Sequence, residues 1–360
     1  MAPAPAITDL PALVARLGAD DAARFARIYH VSTAEARMRV PEPMAAWVER
    51  TFGPVPSVER QRIVRVSNTV SGEGTLFNSL RARRPVRAAM RVDDNLASEL
   101  ADDAWANPRE QTPEDPFGRI ESEYGTTGAN VAKYDSAHGI VIFAQPDPLA
   151  FTQASIAGHL ALTRDWLAAA HANDPEAVYP YVLWNCLWRA GGSIVHGHMQ
   201  AQLARDRHYA KIERLRHDAE GYRKAHGAGY FEDLLAVHRS LGLAWDVDGV
   251  HGLAHLTPAK EKEVLLLGDG LDDSLAAAVY DTLRAFRDVL GVRSFNMGVL
   301  LPPVAPVAES WAGFPTVARI VDRGDLGTRT SDIGGMEMFA EAVVASDPFA
   351  VHRALTTGEA

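Results

Sequence analysis

Two histidines and a glutamine fall at alternate positions in Asn185-Cys-Leu-Trp-Arg-Ala-Gly191-Gly192-Ser193-Ile-Val-His196-Gly197-His198-Met199-Gln200. In an extended strand alternate side chains share a face, so His196, His198, Gln200 and Gln202 form a polar row opposite Val195, Gly197, Met199 and Ala201. Gly191, Gly192 and Ser193 let the backbone turn sharply just upstream and offer N–H groups to an anion. Three readings fit these residue types. One imidazole attacks phosphorus, while its neighbour and the Gln amide orient it and donate to the phosphoryl oxygens. Alternatively, His-x-His chelates a metal with a third ligand such as His138, His208, His251 or an acid. In the third reading the histidines are satisfied polar residues without chemistry.

The elements around this stretch must hold it in place. YPYVLWNCLW (179–188) is aromatic and β-branched and reads as a strand, broken by the glycines before a second strand at 194–203. ANVAKY and HGIVIFA (129–144) read as a hairpin, with Asn130, Lys133 and Tyr134 leading toward a ligand pocket. Residues 151–172 have helical spacing on one apolar face. Residues 206–226 and 271–290 are also expected to be helical, and strands are expected at 62–67, 242–247, 250–255, 294–303 and 316–322. The first fifty residues and the segment 334–345 read as helical, and 107–128 as an irregular loop. Strand pairs followed by a helix occur in both halves of the chain, which suggests a duplicated α+β unit. Trp184, Trp188 and Cys186 are expected to be core residues.

Composition narrows the class. The 360 residues carry 36 Lys+Arg against 46 Asp+Glu, a net charge of −10, which argues against a nucleic-acid binder but leaves room for a local phosphate pocket. The single cysteine excludes an internal disulfide and any zinc site built on paired cysteines. No apolar run reaches the roughly 20 residues of a membrane span, and the opening MAPAPAITDLPALVARLG lacks the basic and apolar regions of a secretory signal, so a cytoplasmic protein is expected.

The stretch 185–200 resembles the active-site motif of the galactose-1-phosphate uridylyltransferases, in the transferase branch of the histidine-triad superfamily. Asn185, Gly191, Ser193, His196, His198 and Gln200 stand at the matching spacing. The resemblance implies that His198 takes up a nucleoside monophosphate, that Gln200 stabilises the covalent intermediate, and that Ser193, with the neighbouring Gly191, Gly192 and Asn185, contacts the substrate. LFNSLRARRPV (76–86) resembles the family's early Arg-x-x-Arg-Pro element, which would place Arg81 and Arg84 near substrate phosphates in a basic run that continues to Arg87 and Arg91. GGMEMFAEAVVASDPFAVHRAL (334–355) resembles its closing helix, with Glu337 and Met338 in matching places.

The chain departs from the family pattern at several points. Gly197 stands where proline is usual, which loosens the backbone between the histidines. There is no Cys-x-x-Cys element, and Trp311–Thr316 has no histidine where the family's second metal site lies. No structural zinc or iron is therefore expected, hydrogen bonds are expected to hold His196, and a divalent metal remains compatible. Ser331 and Met336 replace a lysine and a tyrosine in the sugar region, so galactose 1-phosphate is not a safe substrate. The resemblance implies an α+β fold of two related histidine-triad-like halves, each an antiparallel sheet packed by helices. Residues 1–205, with a helical lead-in, would carry the site, and 206–360 would be the degenerate half. The activity it implies is nucleotidyl transfer from a nucleotide sugar or similar diphosphate to a phosphorylated small molecule, through nucleotidyl-histidine. A phosphorylase or hydrolase of dinucleotides or nucleotide sugars, and a non-catalytic nucleotide binder, are the alternatives. The expected partners are small molecules and, as an assembly, a homodimer, with neither nucleic acid nor membrane.

Overall fold

The structure, a computed structural model, describes residues 4–85 and 95–359. Arg87 and Arg91 lie outside the described residues. The strands are β1 (Tyr29–Arg37), β2 (Arg60–Asn68), β3 (Gly74–Phe77), β4 (Glu121–Ser122), β5 (Gly125–Ala129), β6 (Ala137–Phe143), β7 (Tyr179–Asn185) and β8 (His198–Ala204), then β9 (Ala244–Val247), β10 (Val250–Ala254), β11 (Val264–Gly268), β12 (Phe295–Leu300), β13 (Thr316–Asp322) and β14 (Ala342–Val344). Among the described residues they form a ten-stranded sheet, ordered β4-β5-β6-β8-β7-β12-β13-β11-β10-β9, and a four-stranded sheet, ordered β1-β2-β3-β14.

The large sheet contains the duplication. Counted outward from its centre, β7-β8-β6-β5-β4 has the same chain order as β12-β13-β11-β10-β9. Each half inserts one long helix between its third and fourth strands, Gln153–Asn173 in the first and Asp273–Asp288 in the second. The halves meet where β7 pairs antiparallel with β12, Asn185 opposite Asn296. They therefore share one continuous antiparallel sheet. The two helices pack against each other on its back face. That face carries Met199, Ala201, Val182, Val299, Ala318 and Leu266, all fully buried. Gly139 lets Trp166 of the first helix lie flat on the sheet, since a Cβ there would sit 2.3 Å from the indole.

Several expectations change. The lead-in that reads as helical is broken after the helix Ala19–Ile28, because Tyr29–Arg37 pairs along its whole length with β2. The hairpin at the site begins earlier, at Gly125, so ANVAKY contributes its connecting loop and the irregular stretch 107–128 holds β4 and β5. Residues 334–345 form a helical turn, Gly335–Phe339, followed by β14, which pairs parallel with β3 and breaks the antiparallel pattern of the small sheet. The small sheet packs on the second half: Glu73 reaches Arg319, the Thr75 hydroxyl donates to the Pro258 carbonyl at 2.8 Å, and Asn68 donates to Tyr230 at 2.8 Å. The lead-in joins it there, Arg24 of the helix Ala19–Ile28 pairing with Asp233 at 3.3 Å.

Candidate active site

Directly paired residues of antiparallel strands face the same side. One transverse row on the front face runs Ile140, Gln200, Leu183, Gly298, Arg319 and Leu265. In the second half this face is covered. Arg319 donates to Glu263 at 2.6 Å and to Glu73 at 2.7 Å, a charge network that occupies the position across the sheet from Gln200. In the first half the face is open. A cleft of about 300 Å³ is lined by His198, Gln200, Asn185, Gly191, Ser193, Trp105, Asn130 and Tyr134, among others.

His198 begins β8, and its Nδ1 lies 2.8 Å from the His196 carbonyl. A carbonyl only accepts, so Nδ1 carries the proton and donates, and the Nε2 lone pair is free. Burial pushes the His198 pKa below its ordinary value, and the charge of His196 acts in the same direction, while the bond to the His196 carbonyl opposes them. Burial thus favours the neutral, nucleophilic form of the ring. Among the described residues no group is bonded to its Nε2.

His196 lies two residues before β8 and does not line this cleft, so strand alternation does not place it in the polar row. Its Nδ1 is 2.8 and 3.0 Å from the two Asp103 carboxylate oxygens, and its Nε2 is 2.8 Å from the Phe143 carbonyl. Both nitrogens face acceptors, so neither presents a lone pair to a metal. Among the described residues no three His, Cys, Asp or Glu side chains come together as a metal site.

Gly197 does not loosen this region. Its N–H donates to the Pro146 carbonyl at 2.8 Å, a bond that proline could not make, and its carbonyl accepts from the Phe143 N–H at 2.9 Å. A Cβ at Gly197 would meet the Phe143 ring at 2.5 Å. Phe143 in turn stacks on His159 with centroids 3.6 Å apart. Burial lowers the His159 pKa to about 3, so it is a neutral core residue.

Gln200 and Asn185 flank His198. The Gln200 Oε1 lies 2.9 Å from His138 Nε2. Asn296 Nδ2 donates to Asn185 Oδ1 at 2.7 Å and to the Ala190 carbonyl at 2.8 Å. Upstream, the turn is built on left-handed backbone at Leu187 (φ +66°) and Gly191 (φ +88°). Gly191 and Ser193 line the cleft. Gly192 does not line it, and a Cβ there would sit 2.8 Å from the Asn185 carbonyl.

Arg81 and Arg84 are placed elsewhere. The helical turn Ser79–Arg83 follows β3 of the small sheet, so both arginines line an apolar groove with Met38, Met44 and Trp47, and neither lines the His198 cleft. Of the loop residues expected near a ligand, Asn130 and Tyr134 line the cleft, while Lys133 turns back to the His138 carbonyl at 3.0 Å. Trp184 and Cys186 are buried in the core, and burial raises the thiol pKa out of reach of ionisation.

Asp103 and Trp105 were not expected from the sequence. The Asp103 carboxylate accepts the Trp105 N–H at 2.9 Å as well as His196, and this sets Trp105 edge-on to His198, centroids 4.9 Å apart. A tryptophan amid short polar residues, DDAWANP, was the available signal.

No protein-family model matches the chain, and no curated protein matches it by sequence. Solved structures do match it. An ADP-glucose phosphorylase from Arabidopsis thaliana with bound ADP-glucose is 15% identical, with TM-score 0.62 over 80% of this chain and 97% of the other. A GalT-like protein from the same plant is 16% identical, with TM-score 0.56 over 69% and 89%. A uridylyltransferase is 12% identical, with TM-score 0.56 over 82% and 98%. The chain thus has the two-half fold of these proteins, and the resemblance drawn from residues 185–200 is matched by the fold of most of the chain.

Proposed function

We propose that the protein is a nucleotidyltransferase that moves a nucleoside monophosphate from a nucleotide sugar, or a similar diphosphate, to a phosphorylated acceptor. The observation that carries this reading is His198, whose Nδ1 proton is held by the His196 carbonyl and whose unblocked Nε2 faces a cleft that the Asn185 and Gln200 amides also line. In the first step Nε2 attacks the α-phosphorus, the P–N bond forms, and the bond to the bridging oxygen breaks as the sugar phosphate leaves. The Nδ1 proton stays on the ring, and the His196 carbonyl stabilises the positive charge that develops there. Asp103 and the Phe143 carbonyl hold His196, and so hold that carbonyl in place. In the second step a phosphate oxygen of the acceptor attacks phosphorus, the P–N bond breaks, and neutral His198 is regenerated.

Tyr134 supports a nucleotide ligand. It is 70% exposed at the rim of the cleft, one ring face stacked on His138 at 4.6 Å, so its other face is available to a base. The second reading takes inorganic phosphate as acceptor; the fold match to an ADP-glucose phosphorylase with bound ADP-glucose favours it. Both readings share the first step. Incubation with labelled UDP-, ADP- and GDP-sugars should leave label on the wild type and none on His198→Ala. Supplying a sugar phosphate or phosphate then shows which acceptor discharges it.

A further inference from the structure

We infer that His138 and Asn296 are positioning residues that turn the donor ends of the Gln200 and Asn185 amides toward the cleft, making it a site for a phosphoryl anion. An amide's oxygen and nitrogen are assigned through their partners, and here both chains of partners end on groups whose roles are fixed.

The Tyr134 backbone N–H lies 2.9 Å from His138 Nδ1. An N–H can only donate, so Nδ1 is the acceptor, and the proton of the neutral ring is on Nε2. Two amides lie beside that N–H, Asn130 with its Nδ2 at 3.3 Å and Gln200 nearer at 2.9 Å; a donor can bond only to an acceptor, so the atom it meets is the Gln200 oxygen. The Gln200 Nε2 is left directed away from His138, and among the described residues it has no partner.

The second chain runs from the later half of the molecule. The Ala190 carbonyl can only accept and the Arg323 guanidinium can only donate, so Asn296 places its Nδ2 on Ala190 and its Oδ1 on Arg323. Asp332 holds Arg323 through both carboxylate oxygens, at 2.7 and 2.8 Å. The Asn296 Nδ2 also meets Asn185, whose facing atom must therefore be oxygen. Its Nδ2 is left without a partner among the described residues.

Both residues line the cleft beside His198 and present N–H groups there, while the oxygens of the cleft's other two amides, Gln111 and Asn130, accept from the Asn107 and Ala132 N–H groups. That polarity selects an anion with several oxygens and rejects a cation. One half of the fold supplies His138, and the other supplies Asn296, Arg323 and Asp332.

The orientation rests on hydrogen-bond logic alone; only the identity of the anion rests on the proposed nucleotidyl transfer. Two measurements on the full chain test it. Nitrogen-15 spectroscopy of labelled histidine should find His138 as the Nε2–H tautomer near pH 7.5, and an Nδ1–H tautomer or an imidazolium would overturn the assignment. Calorimetric titration with inorganic pyrophosphate should show binding that weakens on the order of tenfold in His138→Leu and in Asn296→Asp. The His138→Leu loss should vanish in a Gln200→Ala background, and the Asn296→Asp loss in an Asn185→Ala background. Losses that multiply across the pairs, or no pyrophosphate binding by the wild type, would overturn the inference. If His138→Leu fails to fold, His138→Gln keeps a donor and should retain most of the binding. An intact pyrophosphate cycle without label on His198 would leave the anion site standing and remove the nucleotidyl reading alone.

Discussion

The reactivity proposed for His198 rests on two features of its surroundings: the His196 carbonyl that fixes its tautomer and the burial that favours its neutral form. A pKa held below the ordinary histidine value keeps the unprotonated nucleophile present as the pH falls through 6.5. The rate of His198 labelling should therefore fall to half its maximum only below pH 6.5, where protonation removes the lone pair. Stopped-time labelling across pH checks this, and a half-maximal point at or above 6.5 would contradict it. The alternating His-x-His-x-Gln spacing made His198 and Gln200 legible in the sequence, because strand periodicity alone puts them on one face. His196 escaped that logic, since β8 starts only at His198. Asp103 escaped it too, because it reaches His196 across 93 positions of sequence and no local pattern encodes such a contact.

At the scale of elements, the approach of Gly197 to Phe143 fixes how β8 enters the sheet. Proline, the residue usual in the resembling family, would lose the bond to Pro146 and drive into the Phe143 ring. Gly197→Pro should destabilise the fold by about 2 kcal/mol or more and slow labelling of His198, because Phe143 also supplies the carbonyl that holds His196. Denaturant melts with the labelling assay test this, and an unchanged midpoint would contradict it. Strands and helices with strong periodicity, such as Gln153–Asn173 and Thr316–Asp322, were readable locally. By contrast β1, β5 and β14 owe their state to partners: Tyr29–Arg37 follows helical spacing yet pairs with β2, and Ala342–Val344 becomes a strand only because β3 lies beside it. The same separation misplaced Arg81 and Arg84. Their resemblance to a phosphate-binding element holds in sequence, while β3 carries them to the small sheet and its apolar groove.

Across the whole molecule, duplication and specialisation go together. The two halves repeat one strand order, but the front face is open in one and sealed in the other, where Glu73 of the small sheet and Glu263 close on Arg319. The sealed half still contributes to the site through Asn296, which crosses the central β7–β12 pairing to reach Asn185. Arg319→Ala would leave the buried Glu263 carboxylate without its cation and should cost on the order of 3 kcal/mol, read by chemical denaturation. A loss below 1 kcal/mol would show that this network does not bind the small sheet to the second half. The order of strands and helices in the sequence made the repeat visible, whereas the plugging of one copy depends on a turn, Ser71–Gly74, whose partner lies 246 positions away.

The central claim, that His198 carries the nucleotide covalently, is tested most directly by the intact mass of the protein after brief incubation with each of a panel of nucleotide sugars. The wild type should gain the mass of one nucleoside monophosphate with at least one of them, and His198→Ala should gain none. Product formation with no adduct on the wild type, or an adduct that persists in His198→Ala, would contradict the account.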